Sequence, residues 1–224
     1  MNFELINPKE YKQLFLDDHV IESMKGIKKT LHQPRKCGPV IKSGYQSRIS
    51  PQWNTEKKIW EWWYMKENIH YATSIDGEHW EKPSVGLYEW NGSKDNNIIC
   101  DPKGDGYQRL YHVIRDESDP DPTRRYKGLF NSGERHLSVS NDGFNWTMLD
   151  VPPIPSRGES QFTYGPFAQQ FGAMVKRPTK WGRSVFLSTS KDFENFTEPK
   201  LIFCSDEVDW ENCRQRAQEV IKNP

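Results

Sequence analysis

Hydrophobic and polar positions alternate in short runs along most of this chain. Runs of this kind, rich in aromatic and β-branched side chains, predict strands with one buried face. In "IWEWWYM" (59–65), the alternation places Trp60, Trp62 and Tyr64 on one face and Ile59, Glu61, Trp63 and Met65 on the other. Such rings could stack on sugars, but the alternation favours core packing. Further strands are predicted at 13–22, 96–101, 109–116, 125–131, 161–167, 171–177 and 200–205.

One hairpin pattern occurs three times, at 69–83, 135–149 and 184–199. Each copy has a strand that ends in Ser, a tight turn around an Asp and a second strand that opens with an aromatic residue. The Asp carboxylate can accept backbone N–H groups of its own turn, and Gly supplies a positive φ in the first two copies. Asp76, Asp142 and Asp192 are therefore predicted to be structural. Their spacing is typical of four-stranded propeller blades with loop insertions.

The only helical pattern is the C-terminal segment 206–224, and no stretch has the composition of an interdomain linker. These features predict an all-β chain with a short C-terminal helix. We expect one partial propeller domain over residues 1–224.

Charge and composition exclude several classes of function. The 31 Lys and Arg balance the 31 Asp and Glu, so neither nucleic acid nor an anionic membrane is an expected partner. No apolar run reaches the roughly 18 residues of a membrane span, and the first residues lack the pattern of a signal peptide, which predicts a cytoplasmic protein. Neither the four Cys nor the six His show metal-site spacing, so no metal or cofactor is expected.

Four long stretches carry a resemblance to a known group: 14–23 with "LHQP" (31–34), 71–98, 119–130 and 188–203. They resemble bacterial members of the glycosyl hydrolase five-bladed β-propeller superfamily, relatives of the family 32 and family 43 glycoside hydrolases. The resemblance implies a five-bladed propeller of which about three blades are present. It also implies a carbohydrate substrate and a pair of catalytic carboxyl groups.

The resemblance suggests candidates for each catalytic role. The first blade of the related hydrolases carries the nucleophile or base, which here implies Asp17 or Asp18 in "LFLDD". Asp116 in "VIRDESDP" resembles the Asp of an Arg-Asp-Pro motif that steadies sugar hydroxyls, although Glu117 replaces the Pro. Glu159 in "SRGESQF" precedes the third-blade strand, where the general acid resides.

Three further residues are candidates for substrate binding: Arg48, Arg115 and Gln161. Each candidate also has a plain structural interpretation, as a strand cap, a salt-bridge partner or a solvated loop residue.

Three functions follow from these residues. The first is a glycoside hydrolase that uses Asp17 or Asp18 with Glu159. The second is a non-catalytic sugar-binding or degenerate propeller, whose open ring would leave strand edges that promote self-association. The third is a sialidase-like propeller, in which Arg48, Arg109 and Arg115 would hold a substrate carboxylate.

Overall fold

The chain divides into two compact units, Met1–Gly38 and Pro39–Pro224. A computed structural model describes residues 17–18, 21–42, 49–65, 68–100, 110–131 and 133–222. In the first unit, the Asp18 carboxylate pairs with the Lys29 ammonium group. All the sheets formed by the described residues belong to the second unit. A single domain over 1–224 stays a prediction.

The second unit contains three antiparallel sheets in chain order. The first sheet comprises β1 (Gln52–Asn54), β2 (Ile59–Met65) and β3 (Ile69–Ser74). The second comprises β4 (Leu110–Arg115), β5 (Tyr126–Phe130), β6 (Glu134–Ser140), β7 (Thr147–Met148) and β8 (Ile154–Pro155), with a 3-10 helix at Pro122–Arg124. The third comprises β9 (Ser160–Gly165), β10 (Gln170–Thr179), β11 (Gly182–Ser190) and β12 (Lys200–Phe203), and α1 (Glu207–Lys222) follows it.

The first strand of each sheet lies at one edge and contacts the first strand of the next sheet. Between β1 and β4, the side-chain oxygen of Gln52 accepts a 3.1 Å hydrogen bond from the amide of Arg115. Between β4 and β9, the His112 Nε2 and Ser160 Oγ atoms are 2.9 Å apart. Successive meanders whose first strands adjoin are propeller blades arranged about an axis. The predicted fold class is therefore confirmed: all-β, of propeller type, with three blades and a short C-terminal helix.

The apolar core lies between consecutive sheets. One cluster joins the first and second sheets and includes Trp63, Tyr71, Val113, Tyr126 and Phe130. The other joins the second and third sheets and includes Ile114, Leu129, Leu137, Phe171, Val175 and Phe193. Each blade thus buries an apolar face against its neighbour, which is where most of its stabilisation arises.

The three repeated turns have the structure that the sequence predicts. In the second copy, the Asp142 carboxylate accepts hydrogen bonds of 2.8 Å from the amides of Phe144 and Asn145, and one of 3.0 Å from the Ser140 hydroxyl. Burial opposes ionisation, but these bonds outweigh it and hold the pKa of Asp142 below its ordinary value. The turns are therefore structural elements of the blades.

The helix predicted over 206–224 forms as α1. The Asp206 carboxylate accepts a 3.0 Å hydrogen bond from the amide of Asp209, as expected of a residue that caps a helix N-terminus. Within the described part of the chain, no helix combines the length and apolar character that a membrane span requires.

Candidate functional site

Strands β4 and β9 run in the same direction beside the propeller axis. In the loop after β4, the Arg124 guanidinium pairs with Glu194 at 2.6 Å and donates to the carbonyl of Asp192 at 3.3 Å. Both partners lie in the turn after β11. Strands β9 and β11 are each antiparallel to β10, so they run in the same direction. The turn after β11 therefore lies at the same end as Gly165, the last residue of β9. We call this the finishing end, and the opposite end, where β4 and β9 begin, the starting end.

Asp116 lies at the finishing end, directly after β4, and is buried. Its Oδ1 accepts hydrogen bonds from the amide and hydroxyl of Ser118 at 3.0 and 2.6 Å. Its Oδ2 lies 3.4 Å from the ammonium group of Lys127, which is itself buried and also contacts Asp119 at 2.5 Å. Asp116 therefore forms part of an internal ionic network of the second sheet.

Arg115 also faces the protein interior, with only 4% of its side chain exposed. Its guanidinium donates to the Tyr126 hydroxyl at 2.8 Å and to the Glu117 carboxylate at 2.6 Å. Burial opposes ionisation of Glu117, but hydrogen bonds from Arg115 and Thr55 outweigh it and lower the pKa of Glu117. The structure thus places Arg115 in the junction between the first and second sheets.

Glu159 lies at the starting end, directly before β9. Its exposed carboxylate pairs with the ammonium group of Lys176 on the neighbouring strand β10. Gln161, two residues further along β9, is also exposed. Glu159 and Gln161 therefore both lie exposed at the starting end of β9.

A buried polar cluster fixes the start of β9. The Ser160 hydroxyl accepts a 2.8 Å hydrogen bond from Nε of Arg135 and contacts His112, and all three side chains are buried. The Arg135 guanidinium also lies 4.4 Å from the ring centroid of Tyr111. A site next to such a support is preorganised, because its backbone is held by contacts outside the site.

Asp116 and Glu159 do not face each other. Ser160 contacts His112, Glu159 precedes Ser160 by one residue and Asp116 follows His112 by four, so at about 3.3 Å per strand residue their Cα atoms lie about 16 Å apart along the strands. Paired glycosidase carboxylates lie at roughly 5–9.5 Å. Asp116 and Glu159 therefore cannot flank the same bond in this arrangement.

The other predicted residues are not placed relative to this site. Asp17 and Asp18 belong to the separate unit Met1–Gly38 and are exposed. Arg48 lies outside the described residues. Among the residues that are described, no group of three or more His, Cys, Asp or Glu side chains is arranged to hold a metal ion.

Among the described residues, sequence reasoning missed three buried charged side chains, those of Arg135, Lys127 and Glu61. The Glu61 carboxylate accepts hydrogen bonds from the Tyr71 and Tyr126 hydroxyls at 2.7 and 2.6 Å and from the Asn54 amide at 3.1 Å. The available signal was a single Glu on the buried face of "IWEWWYM". A charge in such a position indicates a paired interior group.

No protein-family model matches the chain. No curated protein matches it either. Among solved structures, the beta-fructofuranosidase from Schwanniomyces occidentalis complexed with fructosyl-erythritol is 14% identical, with a TM-score of 0.48, over 72% of this chain and 35% of that one. A GH62 hydrolase in complex with xylotriose is 19% identical, with a TM-score of 0.42, over 73% of this chain and 53% of that one.

A fructofuranosidase structure from the same organism, complexed with fructose, has 14% identity and a TM-score of 0.48 over 69% of this chain and 33% of that one. The chain thus spans about a third of the length of the two fructofuranosidases and about half that of the GH62 hydrolase.

Proposed function

We propose that this chain is a carbohydrate-active protein that binds a sugar at the starting end of its innermost strands, with Glu159 as the principal acidic group. The observation that carries the proposal is the placement of Glu159 and Gln161 at the exposed start of β9, directly beside the buried Arg135–Ser160–His112 cluster. The long motif resemblance to propeller glycoside hydrolases supports the same class of ligand.

The chemistry of these two side chains suits a sugar. A carboxylate accepts hydrogen bonds from neighbouring hydroxyls, and a side-chain amide both donates and accepts. The ammonium group of Lys176 lies against the Glu159 carboxylate, so a sugar would compete with Lys176 for this carboxylate.

The second candidate is non-catalytic sugar binding. It is favoured by the backbone separation of about 16 Å between Glu159 and Asp116, which follows from the strand rise, and by the contact of Asp116 with Lys127. A hydrolase would need a second carboxylate from another part of the protein. Asp17 and Asp18 remain the residues that we propose for this role. The sialidase-like alternative is weaker, because Arg115 is buried against carboxylates and a phenol.

The test is to measure binding and hydrolysis of a panel of neutral oligosaccharides by the whole chain and by the variant Glu159→Gln. The matched control is Glu198→Gln, since Glu198 is an exposed carboxylate of the third sheet that pairs with Arg177. We expect Glu159→Gln to weaken binding or abolish hydrolysis while Glu198→Gln behaves as the wild type.

The panel also separates the two candidates. Release of reducing sugar that disappears in Glu159→Gln supports the hydrolase, and binding without release supports the non-catalytic protein. Identical behaviour of both variants and the wild type would overturn the assignment of Glu159.

A further inference from the structure

A cavity that Glu159 does not line lies beside the outer strands of the second sheet. Its volume is about 590 Å³, which is within the range of small-molecule sites. Residues of β6, β7 and the turn between them form one wall, and Tyr88, Ile99 and Cys100 contribute to the lining from the segment that precedes β4. We call it the neutral cavity, because none of its described lining residues is Asp, Glu, Lys or Arg.

Aromatic rings give the neutral cavity flat apolar surfaces. Four of them line it: Tyr88, Phe130, Phe144 and Trp146. The Trp146 ring is held in place, because its indole nitrogen donates to the carbonyl of Gly143 at 3.2 Å and its edge packs on Phe130 at a centroid distance of 5.5 Å. Fixed rings of this kind can bind the apolar face of a ligand without losing much conformational freedom.

Two polar side chains of the lining are available to a ligand. The Asn141 amide and the Thr147 hydroxyl are exposed and make no hydrogen bond with any other described residue. By contrast, the hydroxyls of Ser138 and Ser140 are already engaged, with the Met148 sulfur at 3.1 Å and the Asp142 carboxylate at 3.0 Å. An amide and a hydroxyl can together donate to and accept from the hydroxyls of a ligand.

We propose that the neutral cavity is a binding site for an uncharged saccharide of one or two rings. A charged ligand would be desolvated there without a countercharge, which is unfavourable. A wholly apolar ligand would cover Asn141 and Thr147 and leave their polar groups unpaired. A neutral sugar ring avoids both penalties. It carries no charge, it presents an apolar face to the aromatic rings, and its hydroxyls can pair with the Asn141 amide.

The experiment measures saturation-transfer NMR of the whole chain with three probes: maltose, sucrose and digalacturonate. Thr147→Trp fills the cavity from an exposed strand position, where Trp is well tolerated. Asn141→Ala removes one polar contact and provides a second variant if the first is poorly folded. Lys200→Trp is the control, since it places the same ring on an exposed strand of the third sheet.

We expect at least one neutral disaccharide to bind, with signal lost in Thr147→Trp, an affinity about fivefold weaker in Asn141→Ala, and no change in Lys200→Trp. Digalacturonate should bind at least tenfold more weakly. All of these measurements are made in the Glu159→Gln background, so that the signal comes from the neutral cavity and not from the site of the proposed function. The proposal is overturned if no disaccharide binds, if binding survives both cavity variants, or if digalacturonate binds equally well.

Discussion

The indole nitrogen of Trp63 in the first sheet donates a 2.8 Å hydrogen bond to the carbonyl oxygen of Gly143 in the second sheet. Trp63 is completely buried, and Gly143 belongs to the repeated turn after β6. The turn therefore has two roles, since it closes its own hairpin and also anchors the neighbouring blade.

This contact makes Gly143 sensitive to substitution. A Cβ atom there would lie 2.6 Å from the Trp63 ring, at a backbone φ of +79°. Gly92 has the same φ and nothing within 4 Å of a Cβ, so it is a matched control for the backbone effect. We expect Gly143→Ala to lower the free energy of unfolding by about 1–3 kcal/mol more than Gly92→Ala, because of overpacking. Urea denaturation measures the difference, and equal losses would contradict the interblade role.

Glu61 should contribute to stability through its two oxygens. Three donors converge on them, from Tyr71, Tyr126 and Asn54. Glu61→Gln keeps the shape but leaves one acceptor oxygen, so we expect a loss of about 1–3 kcal/mol for a buried donor without a partner. Glu89→Gln, at an exposed position, should change the free energy of unfolding by less than about 0.5 kcal/mol. Chemical denaturation of both variants gives the comparison, and a Glu61→Gln protein as stable as wild type would refute it.

The same cluster predicts a loss of stability at alkaline pH. Burial and the neighbouring Glu61 carboxylate raise the pKa values of Tyr71 and Tyr126 above the ordinary value of 10.0. Above about pH 10 the unfolded chain releases these protons and the folded chain keeps them, so the free energy of unfolding falls as pH rises. Tyr71→Phe should make that fall less steep between about pH 9 and 11. Denaturation of the wild type and of Tyr71→Phe across this range tests it, and equal slopes would contradict it.

Local patterns predicted most elements of this fold, although the described residues 96–100 of the strand predicted at 96–101 contain only an isolated bridge at Ile98, and β1 was not predicted. The alternation of residues 59–65 matches β2 residue for residue, and the charged segment at 206–224 contains α1. The repeated turns were also predictable, because Asp142 bonds only to residues within three positions of itself in the sequence. Such features depend on short-range chemistry that a single sequence displays.

The candidate site was less predictable, because it depends on contacts between distant residues. The separation of Asp116 from Glu159 depends on β4 and β9 running in the same direction. The contact between Arg124 and Glu194 shows this direction, and no local motif predicts it. Likewise, Glu61 bonds to Tyr126, which lies 65 positions along the chain. A motif places a carboxylate on a strand, but the packing of blades decides which carboxylates meet.

A substitution of Asp116 tests whether this carboxylate stabilises the fold or belongs to the sugar site. If it is a member of the internal network, Asp116→Asn should remove one of the charges facing the buried Lys127 ammonium and cost about 1–3 kcal/mol of unfolding free energy. Sugar binding at the Glu159 end should stay within twofold of wild type, because the two residues lie at opposite ends of the innermost strands. The control Glu89→Gln alters a carboxylate at an exposed position and should affect stability less. A variant of normal stability that has lost sugar binding or hydrolysis would instead assign Asp116 to the site, since only a direct role would separate function from folding in this way.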